Sequence, residues 1–354
     1  MDHNAVLCPA VPPRTPYRQL SPRGQVRRLR PLAEEALRAF GLRDPRVTFI
    51  HHGENTTWRI DLPRPLPGPV PTGCHPSRLL LRLHRGTYNH PPEIASELLW
   101  LEALRRETDL VVPVPWRLPD GAPYLEWDDP AIGGHRVATA TRWIEGRMAD
   151  QRVTPSHYEA LGVLMARLHN HAAAWRRPRA FRRVRWHERG LAAPDGNADR
   201  GSGDAWALLP ADARRVFRRV RDRAMAAMER LGDGPEAYGL IHCDLHPRNV
   251  VFHHGEARPL DFDDCLIGHW AYDLAVTLRG TGEGALPALL RGYRRVRCFP
   301  DEQLRPLPVF LAARYASVML WIAVRATENR RFEALAARWL PASLSKCEEL
   351  LRRR

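Results

Sequence analysis

Three short apolar runs separated by polar turns, between Leu240 and Asp264, leave this chain little choice of fold. The segment reads Leu240-Ile241-His242-Cys243-Asp244-Leu245-His246-Pro247-Arg248-Asn249-Val250-Val251-Phe252, then Leu260-Asp261-Phe262-Asp263-Asp264. This is a strand, a polar loop, a second strand, a turn at His254-Gly255, and a third strand ending in carboxylates. The layout brings Asp244, Asn249 and Asp261 towards one mouth. Two oxygen donors are what octahedral Mg²⁺ takes from protein when phosphates and water complete its shell. A carboxylate outside that pair can accept or orient a hydroxyl proton. The competing reading, that these are turn and cap residues, is what Asp and Asn do elsewhere.

Spacing sharpens the chemistry. Four residues separate Asp244 from Asn249, and Asp261-Phe262-Asp263 starts 12 residues after Asn249. A kinase catalytic loop has the same Asp and Asn separation and a later Asp-Phe-Gly with a second metal ligand. The segment resembles the Brenner-type motif of the aminoglycoside phosphotransferase, choline kinase and homoserine kinase superfamily. Its usual form is His-Gly-Asp-x-x-x-x-Asn followed by Asp-Phe-Asp or Asp-Phe-Gly. Cys243 replaces the glycine, which tightens the turn without removing a reacting group.

The resemblance extends upstream. In the superfamily a strand-borne lysine or arginine holds the nucleotide phosphates, oriented by a glutamate on the next helix; Arg82 and Glu97 match these positions. Lys346 is the only lysine, so Arg82 does that work with a planar fork in place of an ammonium. Gly53-Glu54-Asn55-Thr56-Thr57 stands in for the nucleotide loop, with one glycine, amides that cap phosphates, and Asn55 and Thr56 as nucleotide contacts. Arg142-Trp143-Ile144-Glu145-Gly146 resembles the hinge, which places Trp143 and Glu145 beside adenine with backbone groups as its partners. Leu161 to His169 resembles the core helix after the hinge, and Asp273 in Tyr272-Asp273-Leu274-Ala275 the support of the catalytic loop.

The implied fold is α+β and protein-kinase-like in two lobes. Residues 1–24 form a poorly ordered Pro/Arg-rich arm, 25–146 a β-rich N-lobe ending in the hinge, and 147–354 a mainly helical C-lobe. The implied activity is ATP- and Mg²⁺-dependent transfer of the γ-phosphoryl group to a hydroxyl of a small-molecule acceptor, with GTP as the alternative donor. Asp244 is the catalytic carboxylate, and Asn249 and Asp261 are the metal ligands. The neighbouring alternative is a bacterial stress-response-type Ser/Thr kinase acting on a protein hydroxyl. Two other classes are a nucleotide-binding pseudokinase scaffold and an arginine-rich nucleic-acid binder.

Local pattern agrees with two lobes. Val26, Leu29, Leu32, Ala33, Ala36 and Leu37 make a helical stripe over 25–40. Strands are expected at 47–51, 56–62, 78–84 and 136–144, a proline-broken strand region at 111–124, and a helix at 92–106. After Gly146 the periods lengthen: helices are expected at 155–174 and 210–231, a β-rich stretch at 238–266, and mainly helices from 270.

Charge separates the remaining classes. The net charge of +14 suits an anionic partner, but 53 of the 54 basic residues are arginine, as a coding bias would produce. Arg176, Arg177, Arg179, Arg182, Arg183 and Arg185 form the densest run and read as a solvated loop, not a nucleic-acid platform. Six scattered cysteines without a C-x-x-C pair suit reduced thiols in a cytoplasm. The best membrane candidate, 309–324, is short and interrupted by Arg314. His242 and His246 are expected to brace the catalytic loop. Asp263 and Asp264 are possible additional metal contacts, at a cost in like-charge repulsion.

Overall fold

A computed structural model describes residues 15–86, 88–149, 152–195, 204–327 and 330–352. Helix α1 (Pro22–Ala39) starts where Ser21 accepts from the Gly24 N–H at 3.2 Å and Pro22 fits the first turn. Its Leu29, Ala33, Ala36 and Leu37 are buried. Within the expected disordered arm, residues 1–14 lie outside the described residues, and 15–24 are not loose. Tyr17 is buried under the Arg136 guanidinium, 5.1 Å from its ring centroid, and α1 begins at Pro22.

The chain then lays down β1 (Arg46–His52), β2 (Thr56–Asp61), β3 (Cys74–Arg85), α2 (Pro91–Glu107), β4 (Pro115–Trp116), β5 (Leu125–Asp129) and β6 (Gly134–Ile144). They form one six-stranded sheet in the order β1-β2-β3-β6-β4, with β5 also on β6 and every pairing antiparallel. Leu79, Leu81 and Leu83 of β3 join Trp58 and Ile60 in the core under α1. Since strand side chains alternate, Arg82 and His84 face the other side. Arg82 sits in register between Thr57 and Thr139. The strand region expected at 111–124 shrinks to Pro115–Trp116, because prolines remove ladder donors. β5 is an addition; its acidic Leu-Glu-Trp-Asp-Asp lies on the exposed edge and carries little β signal.

The helical lobe comprises α3 (Pro155–Ala174), α4 (Ala211–Leu231), the short strands β7 (Tyr238–Ile241), β8 (Val250–His253), β9 (Glu256–Pro259) and β10 (Leu266–His269), and then α5 (Trp270–Leu278), α6 (Ala285–Arg294), α7 (Asp301–Leu304), α8 (Leu307–Ala326) and α9 (Arg330–Arg352). β7 pairs with β10 and β8 with β9, both antiparallel. Helices α3 and α6 meet backbone to backbone: a Cβ on Gly162 would lie 2.0 Å from the Leu289 carbonyl oxygen, and one on Gly292 1.9 Å from that of Glu159. Residues 301–326 are long and apolar enough to cross a membrane, longer than the stretch expected from sequence, and 56% of their apolar window is buried within the protein. Helix α8 packs on α4, α5 and α9, so its apolar surface serves the core.

Candidate active site

The catalytic loop leaves β7 through a residue in left-handed geometry. Cys243 has φ 63°, which explains why a glycine suits that position in the motif. Asp273, fully buried on α5, holds the turn by accepting from the backbone N–H of His242 (3.2 Å) and of Cys243 (2.8 Å). The carboxylate is itself held by His169 at 3.1 Å, whose other ring nitrogen meets the Tyr293 hydroxyl at 2.8 Å. Further along α5, the Thr277 hydroxyl donates to the Leu245 carbonyl. His242 Nε2 donates to the Leu260 carbonyl at 2.9 Å and ties the catalytic loop to the next one.

Asp244 thus projects from a fixed turn. Asn249 Nδ2 donates to its Oδ2 at 2.6 Å and to its carbonyl at 3.0 Å, and His246 Nε2 lies 3.5 Å from Oδ2. Oδ1 pairs with Arg314 of α8. Burial pushes the carboxyl up, but the His246 contact and the Arg314 charge outweigh it and hold the pKa down to about 2. It is an ionised, weakly basic carboxylate, suited to orienting a hydroxyl.

After β9, Asp261 adopts φ 54° and turns one oxygen inward, with Oδ1 2.9 Å from Arg82 Nη2. Arg82 Nη1 is 3.3 Å from Glu97 Oε1 on α2. The result is a Glu97, Arg82, Asp261 chain running from α2 through β3 to the loop. Burial raises Glu97 to about 7 despite the Arg82 charge. Two side chains offer oxygens that fit a divalent cation. Asn249 uses its amide hydrogens on Asp244, which leaves its carbonyl oxygen available, and the Asp261 side chain is 45% exposed. Two hard oxygens suit a divalent cation whose other ligands come from phosphates and water.

Asp263 and Asp264 turn to other uses. Asp263 accepts from Asn55 (2.7 Å) and Asn89 (2.8 Å) and faces His84 Nδ1 at 3.5 Å. Burial opposes its charge, but His84, Arg82 and Asn55 hold its carboxyl far below the usual range. Asp264 accepts from the Tyr88 hydroxyl; burial and the nearby Asp244 charge push it up to about 7. Both oxygens of Asp263 and Oδ1 of Asp264 are thus engaged by protein donors.

The nucleotide-loop side chains are also engaged. Asn55 donates to Asp263 and accepts from the Arg85 N–H at 3.2 Å, and Thr56 is buried with its hydroxyl 2.8 Å from His52. Glu54 reaches across to α8, accepting from Trp321 Nε1 at 2.5 Å and lying 3.3 Å from Arg325 Nε. At the hinge, Trp143 is half-buried with Arg78 5.7 Å from its ring centroid. The Glu145 N–H donates to the Gly73 carbonyl at 2.9 Å, and its carbonyl accepts from Arg258 at 2.8 Å. The Glu145 N–H and carbonyl are therefore both engaged within the protein.

Three arginine and carboxylate roles escaped the sequence reading. Arg314 carried a signal, as a charge in the middle of an apolar helix. Arg183 did not: its run reads as solvated, yet it donates to the carbonyls of Phe262 (2.9 Å) and Asp263 (2.7 Å) and braces the metal loop. Asp263 reads in the sequence only as one of two candidate extra metal contacts, and its bonds to the distant Asn55 and Asn89 leave no local signal.

The geometry agrees with comparison to known proteins. The model of the phosphotransferase enzyme family matches residues 46–307, about three quarters of the chain. An uncharacterized protein of Deinococcus radiodurans is 29% identical over 305 residues, 82% of this chain and 80% of the relative. The solved structure of a microcompartment-associated aminopropanol kinase is 27% identical, with TM-score 0.75 over 91% of this chain and 97% of that one. An amicoumacin kinase solved with AMP-PNP, Ca²⁺ and Ami shares the fold at 20% identity, with TM-score 0.71 over 90% of this chain and 93% of that one. The chain belongs to the phosphotransferase enzyme family and is a small-molecule kinase with an alcohol as its acceptor.

Proposed function

We propose that this kinase uses ATP and Mg²⁺ to phosphorylate a hydroxyl of a small molecule at Asp244. One observation carries the reading: Asp244 and Asn249 on one loop and the Glu97, Arg82, Asp261 chain on the other. The nucleotide complex of the amicoumacin kinase, a protein of the same fold, supports a nucleoside triphosphate in this cleft. Mg²⁺, held by Asn249 and Asp261, would neutralise charge on the phosphates. Arg82 adds a fixed positive charge for the nucleotide phosphates, and Glu97 sets its orientation. Asp244, locked by two hydrogen bonds from Asn249, orients the acceptor hydroxyl for in-line attack. Its low basicity suits a loose transition state in which the proton leaves late, so placed charge supplies most of the rate.

Thermal-shift titration with ATP and GTP, each with and without Mg²⁺, tests this reading. A Mg²⁺-dependent rise with one nucleotide is expected, by linkage of binding to stability. Asp261→Ala should remove the Mg²⁺-dependent part. The absence of any rise with either nucleotide overturns the proposal.

A further inference from the structure

Asp244 faces an arginine on the side away from Asn249. The two oxygens of the carboxylate are divided: Oδ2 faces Asn249 and the metal side, and Oδ1 faces Arg314 of α8. Arg314 spends Nη2 on Asp244, and its Nε is buried with no hydrogen-bond partner. A second guanidinium stands at the same junction. Arg279, at the end of α5, is placed by the residues on either side of it. Thr277 is bonded to the carbonyl of Leu245, next to Asp244, and the Gly280 N–H donates to the hydroxyl of Tyr315, next to Arg314, at 3.1 Å. The Arg279 guanidinium lies 5.8 Å and 5.9 Å from the ring centroids of Tyr315 and Trp339, and among the described residues it has no carboxylate partner.

Charge bookkeeping leaves the site cationic. Burial and the repulsion of Arg314 lower the Arg279 pKa, and Arg248 adds to that repulsion. Asp264, the other carboxyl near Asp244, is pushed up to about 7 by burial and by Asp244 itself, so it carries only part of a negative charge at neutral pH. Arg314 and Arg279 are both half-buried, and Asp244 pairs with Arg314 alone, so an anion seated beside the two guanidiniums would be held by charge-assisted hydrogen bonds from both. The nucleotide already has Arg82 and the metal ligands on the opposite oxygen of Asp244. The Arg279 and Arg314 side therefore falls to the acceptor, and a cationic amino alcohol would meet like charge there.

We propose that the acceptor alcohol carries an anionic group, a carboxylate or a phosphate, seated by Arg279 and Arg314. This rests on the kinase reading above and specifies its substrate class. A hydroxyl on the same molecule then reaches Asp244 while the anion stays on the arginines. Arg279 and Arg314 are acceptor-binding residues, and the Tyr315 and Trp339 faces limit how far Arg279 can swing.

The test uses protein saturated with Mg²⁺ and AMP-PNP, which fills the nucleotide phosphate positions. Inorganic phosphate and glycolate are titrated into wild type, Arg279→Gln and Arg279→Lys by calorimetry. Saturable binding of one anion is expected, weakened about tenfold or more by Arg279→Gln and partly restored in Arg279→Lys. The anion that binds separates a phosphate-bearing from a carboxylate-bearing acceptor. Nucleotide consumption with matched hydroxy acids, phosphorylated alcohols, neutral alcohols and amino alcohols should then favour the anionic set, and Arg279→Gln should raise acceptor KM more than it lowers kcat. No saturable anion binding, a preference for neutral or cationic alcohols, or a loss of nucleotide affinity in Arg279→Gln with acceptor KM unchanged overturns the proposal. Failure of wild type to bind AMP-PNP at all sinks the kinase reading instead.

Discussion

Asp244 and Asp263 are both carboxylates held well below their ordinary range, on neighbouring loops, yet they serve different ends. The partners of Asp244 are Asn249, His246 and Arg314, all from the helical lobe. Those of Asp263 are Asn55, His84 and Asn89, all from the sheet lobe or the turn after it. One carboxylate faces a chemical site, and the other clamps the two lobes together. Residue type and even position in a motif do not distinguish them; the origin of the hydrogen-bond donors does.

The largest effect that would break this comparison is on stability. Asp263→Ala strands the buried His84 and Asn89 and the half-buried Asn55 and leaves Arg82 with less compensation, so it should cost about 3–5 kcal/mol in denaturant unfolding, as removal of one partner of a buried ionic cluster does. Wild-type stability in that variant would remove the clamp. Asp264 sharpens the contrast through pH. Its carboxyl is raised from 3.8 to about 7 in the folded state, so its contribution is fully present below about pH 4 and is lost as pH rises towards 7. Glu97, raised from 4.5 to about 7, acts with the same sign. Asp244 and Asp263 act oppositely: their contribution is present above the unfolded carboxylate pKa and is lost as pH falls through the folded one. Asp264→Asn should therefore show a smaller fall in melting temperature between pH 5 and pH 8 than wild type, and an unchanged fall would contradict the raised carboxyl. The smallest effect belongs to Cys243→Gly. Relief of the positive φ offsets lost packing and added chain entropy, so stability should move by less than about 1 kcal/mol with transfer retained.

Much of this was legible in the chain because it is local. The helix Pro155–Ala174 follows from its period, and the β-rich stretch from 238 onward from its alternating turns. The pairing of Arg82 with Glu97 was legible through the spacing of a family motif, and the structure brings the two side chains together. Contacts made across long separations were not. Arg183 meets the loop 79 residues later, and Asn55 meets Asp263 across 208. No periodicity encodes such partners, so Arg183 reads as solvated and the bond from Asn55 to Asp263 leaves no trace in the sequence. Tyr17 escaped for a similar reason, since its burial depends on Arg136 from a distant strand. Arg314 lies between these cases: a charge in an apolar helix is visible, but its target on another element is not.

The central claim is that Asp244 acts on the acceptor and not on the nucleotide. It is tested most directly by titrating Mg²⁺ and AMP-PNP onto Asp244→Ala and measuring phosphoryl transfer with the same preparation. Nucleotide affinity should stay within about threefold of wild type while transfer falls by about 10²–10⁴, the range of a lost proton-handling group. Wild-type turnover in Asp244→Ala, or loss of nucleotide binding along with turnover, would contradict it.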